Sequence, residues 1–298
     1  MDNASPTTPD ATVVALNDLL VVADYRDALT GAGLDTLDAL FALRGESLDK
    51  PGLDQWRQRI RLTLDVHGET QTFYLKRFER PPKKIQREVR KCGIQFCDVA
   101  TVAGLEWARM WQLDRAGVRG PKPIAMGESL QDGHELRSAV LMKSVAGKSL
   151  ESWCQEWKAN DHQRISALIE PAASLIRKFH HHGFVHRDLY LAHLFFYPEA
   201  ELEQSLSLID LQRMIEPRSF RSRWMLKDLA SLNYSAPSPL ISRTHRLRWL
   251  KRYTGVEKLG KAQRQLAYLI IGKTQQIARH DRRRNDRLTR SKEDDKKS

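Results

Sequence analysis

The chain has 298 residues, a formal net charge of +12, 41% hydrophobic residues and 29% charged ones, the balance of an ordinary globular protein long enough to form two lobes. No apolar run approaches the roughly 18 to 20 residues of a membrane-spanning helix. The start MDNASPTTPDATVVAL also lacks the basic segment and apolar block of a secretory signal, so a cytoplasmic chain is expected. Cys92, Cys97 and Cys154 are too few for a disulfide framework and lack the paired spacing of a zinc module. The positive charge predicts an anionic partner without choosing among nucleotide, nucleic acid, phosphorylated glycolipid and an acidic membrane leaflet.

Residues 1 to about 10, rich in Ser, Thr, Pro and Asp, read as a disordered start. From Val13 to Leu43 the apolar residues recur at helical spacing around Gly31 and Gly33, which predicts two short helices in an extension covering residues 1–45. Arg59 to Val66 alternates strictly, with Ile60, Leu62, Leu64 and Val66 on one face. After the turn signal His67-Gly68-Glu69, the run Thr72 to Phe78 gives a second strand, so a hairpin carries Lys76 near its end. A helix is expected from about Asp98 to Ala116, closed by Gly117. Strands follow at Pro123 to Met126 and Ser138 to Lys143, and Ser144-Val145-Ala146-Gly147 reads as an interlobe connection. These elements predict a first lobe over 46–143 and a second over 144–278.

The second lobe reads as mainly helical, with helices at Ser149 to Lys158 and Pro171 to His182. A loop from Phe184 to His193 then leads into a short hairpin, Leu194 to Phe196 and Leu206 to Ile209, with Asp210 directly after it. The almost wholly charged residues 279–298 predict a fraying helix end and a solvated tail.

Phosphoryl transfer requires that triphosphate charge be neutralised by a lysine and magnesium, and that a carboxylate orient the attacking hydroxyl. A strand lysine (Lys76), a helix glutamate (Glu106), the loop His186-Arg187-Asp188 and a strand-end aspartate (Asp210) occur here in the order that protein kinases use. With Tyr74-Leu75-Lys76, Glu106-Trp107, Ala116-Gly117-Val118, Ala125-Met126-Gly127-Glu128, His186 to His193, Ile209 to Arg213, Arg223-Trp224 and Lys227-Asp228-Leu229, residues 59 to 235 resemble the lipopolysaccharide core kinase family. Its members phosphorylate heptose or the acidic sugar Kdo of the inner core.

The resemblance implies an α+β, bilobal protein-kinase-like fold, with a small antiparallel-sheet N-lobe, a mostly helical C-lobe and the nucleotide between them. It implies ATP and Mg2+ as cofactors and an anionic core glycolipid as acceptor, met at the inner face of a membrane. Lys76 would hold the nucleotide phosphates with Glu106 as its partner, Glu88 being the rival; Asp188 would engage the acceptor hydroxyl, Asp210 would bind magnesium and Asp228 would brace the loop. Arg218, Arg221 and Arg223 follow Asp210 closely enough to border an acceptor groove.

Several features depart from protein kinases. Tyr190 stands where they place a lysine, and His193 where they place a magnesium-binding asparagine. Imidazole is a poor magnesium ligand, so His193 is expected to orient phosphate or Asp188, and is only a secondary metal candidate. Asp210-Leu211-Gln212 replaces Asp-Phe-Gly, and no Gly-rich phosphate loop precedes the first strand, where only Gly45 and Gly52 stand. Gly147-Lys148-Ser149 and Gly272-Lys273-Thr274 lack the first glycine of a P-loop. His180-His181-His182 reads as helix residues rather than a metal cluster, and Trp107, Trp111, Trp153 and Trp157 as packing. Alternative readings are a small-molecule phosphotransferase of the aminoglycoside or choline kinase type, a catalytically inactive kinase-like scaffold, and, from charge alone, a nucleic-acid binder.

Overall fold

The computed structural model describes residues 11–49, 54–92, 99–158 and 161–295. The expected disordered start, Gly52, Cys97 and the first residue of the helix expected from Asp98 lie outside the described residues. Two compact units divide the chain, one from residues up to Gln112 with Pro121–Ser144, the other from Leu113–Gly120 with Val145 onward.

The first unit is built on an antiparallel sheet of seven strands. In chain order its elements are β1 (Val13–Leu16), β2 (Leu19–Val22), α1 (Arg26–Gly31), α2 (Leu37–Ala42), β3 (Glu46–Ser47), β4 (Arg57–Val66), β5 (Glu69–Glu79), α3 (Lys83–Lys91), α4 (Val102–Arg115), β6 (Lys122–Gln131) and β7 (His134–Lys143). The strand order is β1-β2-β6-β7-β5-β4-β3. The alternation in β4 buries Ile60, Leu64 and Val66 and exposes Arg61 and Asp65. Between β4 and β5 the chain reverses through His67 and Gly68, both at positive φ, with the Gly68 N–H donating to Asp65 Oδ1 at 2.9 Å.

The two short helices expected around Gly31 and Gly33 are α1 and α2, but the helical reading of the stretch before them is corrected. The first part of that stretch is a β-hairpin turning at Asn17-Asp18, and β2 pairs with β6 through Leu20 opposite Met126 and Val21 opposite Ala125. The β-branched pairs Val13-Val14 and Val21-Val22 favour strand, and Asn17 takes the positive φ on which the tight reversal turns. Leu16, Leu19 and Val21 enter one core with Leu29, Leu37, Leu40, Phe73, Leu75 and Leu141. Part of the expected extension is therefore integral to the sheet, and its helical part is a 3-10 turn at Ala23–Tyr25 followed by α1 and α2.

The second unit carries β8 (Lys148–Ser149), α5 (Leu150–Glu156), α6 (His162–His181), β9 (Leu194–Phe196), β10 (Leu206–Leu208), α7 (Arg221–Ser235), α8 (Arg243–Thr254) and α9 (Lys261–Asp295). The strands form one small antiparallel sheet, β10-β9-β8. Ser149 caps α5 by accepting from the Ser152 N–H at 3.1 Å. Helix α6 begins at His162, before the expected start at Pro171, and holds that proline buried in its interior, because the apolar pattern continues on both sides of it through Ile165, Leu168, Ile169, Ala172 and Ile176. Helix α9 runs on to Asp295 rather than fraying near Arg279, since arginine and lysine are good helix formers. No described helix is long and apolar enough to cross a membrane.

Candidate active site

In the first unit, strand alternation sends Phe73 and Leu75 into the core shared with α1 and α2 and turns Lys76 to the opposite face. There the Lys76 ammonium donates to Glu106 Oε1 on α4. The pair is withdrawn from water, with side chains 17% and 2% exposed, and Glu106 Oε2 is buried without a hydrogen-bond partner. Glu88 is exposed on α3. Helix α4 is fixed at its N-terminus by side chains of the sheet: Glu135 Oε2 accepts from the Val102 N–H at 2.9 Å and Ser138 Oγ from the Ala103 N–H at 3.3 Å, while Thr101 Oγ1 donates to Glu128 at 2.5 Å. Burial raises the Glu135 carboxyl from 4.5 to about 7, against the opposing hydrogen bonds from Ser138 and Val102.

In the second unit the loop after α6 is held from below by α7. The fully buried Asp228 accepts the His186 N–H at 2.6 Å and the Arg187 N–H at 2.8 Å, one on each carboxylate oxygen. His180, 3.3 Å from Asp228 and 2.8 Å from the Tyr253 hydroxyl, closes this network. His186 donates from Nε2 to the Ile209 carbonyl at 2.9 Å, and burial lowers its pKa, so the imidazole is neutral. The Val185 and Ile215 backbones exchange hydrogen bonds across the same region. With Arg187 forced into positive φ, the chain turns sharply just before Asp188.

Asp188 is gripped by a residue that the motif reading passed over. Arg213 Nη1 donates to both Asp188 carboxylate oxygens at 2.9 Å. The contact exists because Asp210 adopts left-handed backbone angles, φ 60 and ψ 63, at the start of a short 3-10 turn, Leu211–Arg213. The sequence offers only the spacing of Asp210 and Arg213, three residues apart; the bend that brings Arg213 to Asp188 is a property of the fold. His193 Nδ1 donates to the Asp188 carbonyl at 2.7 Å, which leaves Nε2 facing Asp210 Oδ2 at 3.7 Å. The donor set suits a hard ion bound through one carboxylate, with substrate phosphates and water supplying the rest, as magnesium is commonly held. Among the described residues no group of three or more His, Cys, Asp or Glu side chains forms a self-sufficient metal cage.

Of the three arginines expected at an acceptor groove, Arg218 and Arg223 are exposed, while Arg221 donates to the His180 and His181 carbonyls and so closes the C-terminus of α6. The tryptophans pack against one another, Trp107 edge-on to Trp111 and Trp153 stacked on Trp157, both at 5.8 Å. Elsewhere in the second unit a cavity of about 530 Å³ is walled by apolar side chains that include Leu168, Ile169, Leu229, Leu232, Leu250 and Ile270.

Residues 59–253 match the Lipopolysaccharide kinase (Kdo/WaaP) family. The lipopolysaccharide core heptose(I) kinase WaaP of Pseudomonas aeruginosa is 31% identical over 154 residues, a stretch covering 50% of this chain and 58% of that protein. The protein of the same description from Escherichia coli K12 is 27% identical over 220 residues, covering 69% of this chain and 83% of that one. A solved structure of WaaP in complex with acyl carrier protein superposes with a TM-score of 0.66 at 24% identity, covering 88% of this chain and 98% of that one, which shows the shared fold.

Proposed function

The chain belongs to the Lipopolysaccharide kinase (Kdo/WaaP) family, a family of phosphotransferases acting on a sugar hydroxyl, and we propose that it transfers the γ-phosphoryl group of ATP to a heptose or Kdo of a lipopolysaccharide inner core. The observation that carries this reading is the loop His186-Arg187-Asp188, locked by Asp228 and presenting an Asp188 carboxylate whose two oxygens are fixed by Arg213. An orienting carboxylate of this kind aligns the acceptor hydroxyl, which is most of what a protein contributes to phosphoryl transfer beyond charge neutralisation. Lys76, its ammonium steadied by Glu106, binds nucleotide phosphate oxygens. Asp210 is the carboxylate for magnesium, which when bound neutralises phosphate charge. His193 holds the Asp188 backbone and orients the Asp210 side of the loop rather than serving as a principal ligand. Arg218 and Arg223 contribute positive charge on the acceptor side.

ATP use and the net charge of +12 favour the cytoplasmic face of a membrane, in peripheral contact with its acidic leaflet. An acyl carrier protein, the partner in the related complex, is a further candidate. The apolar cavity of about 530 Å³ lies within the volume range of small-molecule pockets, and its lining suits an acyl chain more than a sugar phosphate.

The test of the central reading is radiolabelled ATP turnover with extracted core oligosaccharide against a panel of soluble amino alcohols and aminoglycosides, for wild type and Asp188→Asn. Label is expected on the core oligosaccharide alone, with transfer by the variant reduced by roughly three orders of magnitude or more. Label on the soluble panel alone, or undiminished transfer by the variant, refutes the assignment.

A further inference from the structure

Around Asp188 not every cation has a carboxylate at ion-pair distance. Arg213 pairs with Asp188, and Asp228 is consumed by the backbone N–H groups of His186 and Arg187. Two cations remain. The Arg187 guanidinium lies 5.4 Å from the ring centroid of Trp224, with its Nε buried and without a hydrogen-bond partner. Lys227 sits one helical turn after Trp224 on the face of α7 that meets the loop, since Asp228 beside it grips that loop. Its ammonium is half-buried, and the charges of Arg213, Asp188, Arg187 and Asp228 all act on it. Among the described residues, neither Arg187 nor Lys227 has a carboxylate within ion-pair distance.

We propose that Arg187 and Lys227, together with the Asp188-bound Arg213, form a recognition site for an anionic substituent of the acceptor, a carboxylate or phosphate next to the hydroxyl that receives the phosphoryl group. The proposal rests on the reading of the chain as a core-sugar kinase and assigns one feature of its specificity. Two cations without a carboxylate at ion-pair distance can take one from a ligand, and a planar guanidinium and a point-charge ammonium on adjacent elements match a carboxylate or phosphate group. Burial penalises the Lys227 ammonium and two neighbouring guanidinium groups add repulsion, so an arriving anion relieves a cost already present in the free protein. Placement at Asp188 selects the acceptor over the nucleotide, because Asp188 is the residue assigned to the acceptor hydroxyl. An acceptor anion in this position also competes with Asp188 for Arg213, releasing one carboxylate oxygen for that hydroxyl.

The experiment measures kcat and both KM values for wild type, Lys227→Met and Lys227→Arg with three acceptors: extracted core oligosaccharide, the same material with its carboxylates reduced to alcohols, and the same material dephosphorylated. Lys227→Met is expected to raise the acceptor KM on the order of tenfold or more while the KM for ATP stays within about twofold, and Lys227→Arg is expected to recover most of the loss. Wild type is expected to lose a similar factor on either the carboxyl-reduced or the dephosphorylated acceptor, which identifies the anion, and Lys227→Met to be indifferent to that same change. A KM effect confined to ATP, or a Lys227→Met enzyme that discriminates among the acceptors as wild type does, overturns the proposal while leaving the kinase assignment intact. Absence of transfer by wild type to every core acceptor overturns the assignment itself, and the site with it.

Discussion

Glu135 offers a test of how the sheet fixes the helix that carries Glu106. Its carboxyl is 3% exposed, accepts the Val102 N–H at the start of α4 and receives the Ser138 hydroxyl at 2.5 Å. Burial raises its pKa from 4.5 to about 7. Between these values the folded protein holds a proton that the unfolded chain has released, so the native state binds more protons and stability falls as pH rises through the window. At 1.36 kcal/mol per pKa unit the loss is about 3 kcal/mol by the time pH exceeds the folded value. Glu135→Gln removes it, because the amide oxygen still accepts from Val102 while the amide nitrogen donates to Ser138. Urea unfolding of both proteins from about pH 4.5 to about pH 8 isolates the effect as a difference, which matters because His186, buried neutral with a lowered pKa, makes stability rise with pH in part of the same range. Wild type should be destabilised relative to Glu135→Gln by about 3 kcal/mol at the alkaline end and not at the acid end. Equal pH slopes in the two proteins would refute the argument.

Removing the Asp228 carboxylate by Asp228→Ala orphans the backbone N–H groups of His186 and Arg187 and leaves His180 without its carboxylate. This should cost about 3 kcal/mol or more in denaturant unfolding and abolish transfer even where the protein stays folded. Gly147 stands at φ +84, where an added Cβ would come 2.1 Å from the Phe196 carbonyl oxygen. Gly147→Ala should therefore cost at least about 2 kcal/mol and lower the thermal midpoint, by breaking the approach of β8 to β9. Lys76→Met removes the cation proposed to bind phosphate and leaves Glu106 buried without its Lys76 partner. The expected result is loss of ATP-dependent thermal stabilisation together with destabilisation of the apoprotein.

The elements that carry the candidate site residues were legible because their signals are local. Lys76 is marked by the alternation of the strand that carries it, Glu106 by the periodicity of α4, and Asp188 and Asp210 by short motifs at the ends of buried segments. The N-terminal hairpin was not legible in this way, since Val13, Leu16, Leu19 and Leu20 satisfy a helical spacing as well as a strand one. The pairing that decides between them, Leu20 with Met126, joins residues more than one hundred positions apart, and no windowed pattern contains it. Pro171 misled for a related reason, because a proline marks a helix start only when the preceding residues do not already form one. The Arg213 grip on Asp188 depends on the left-handed backbone at Asp210, a conformation uncommon for a residue with a side chain, and spacing alone could not reveal it.

That contact also changes what the motif means. Read as a string, His186-Arg187-Asp188 suggests an aspartate waiting for a hydroxyl. In the folded chain both of its oxygens already accept from Arg213, so in the role proposed for Asp188 a hydroxyl enters by replacing a charge-assisted hydrogen bond rather than by filling an open position. An acceptor that brings only a hydroxyl exchanges a strong bond for a weaker one. An acceptor that also brings an anion gives Arg213, Arg187 and Lys227 a new partner at the moment Asp188 is released. In the roles proposed, the same geometry orients the nucleophile and discriminates against neutral alcohols, and two of the three cations involved, Arg213 and Lys227, lie outside the three-letter motif.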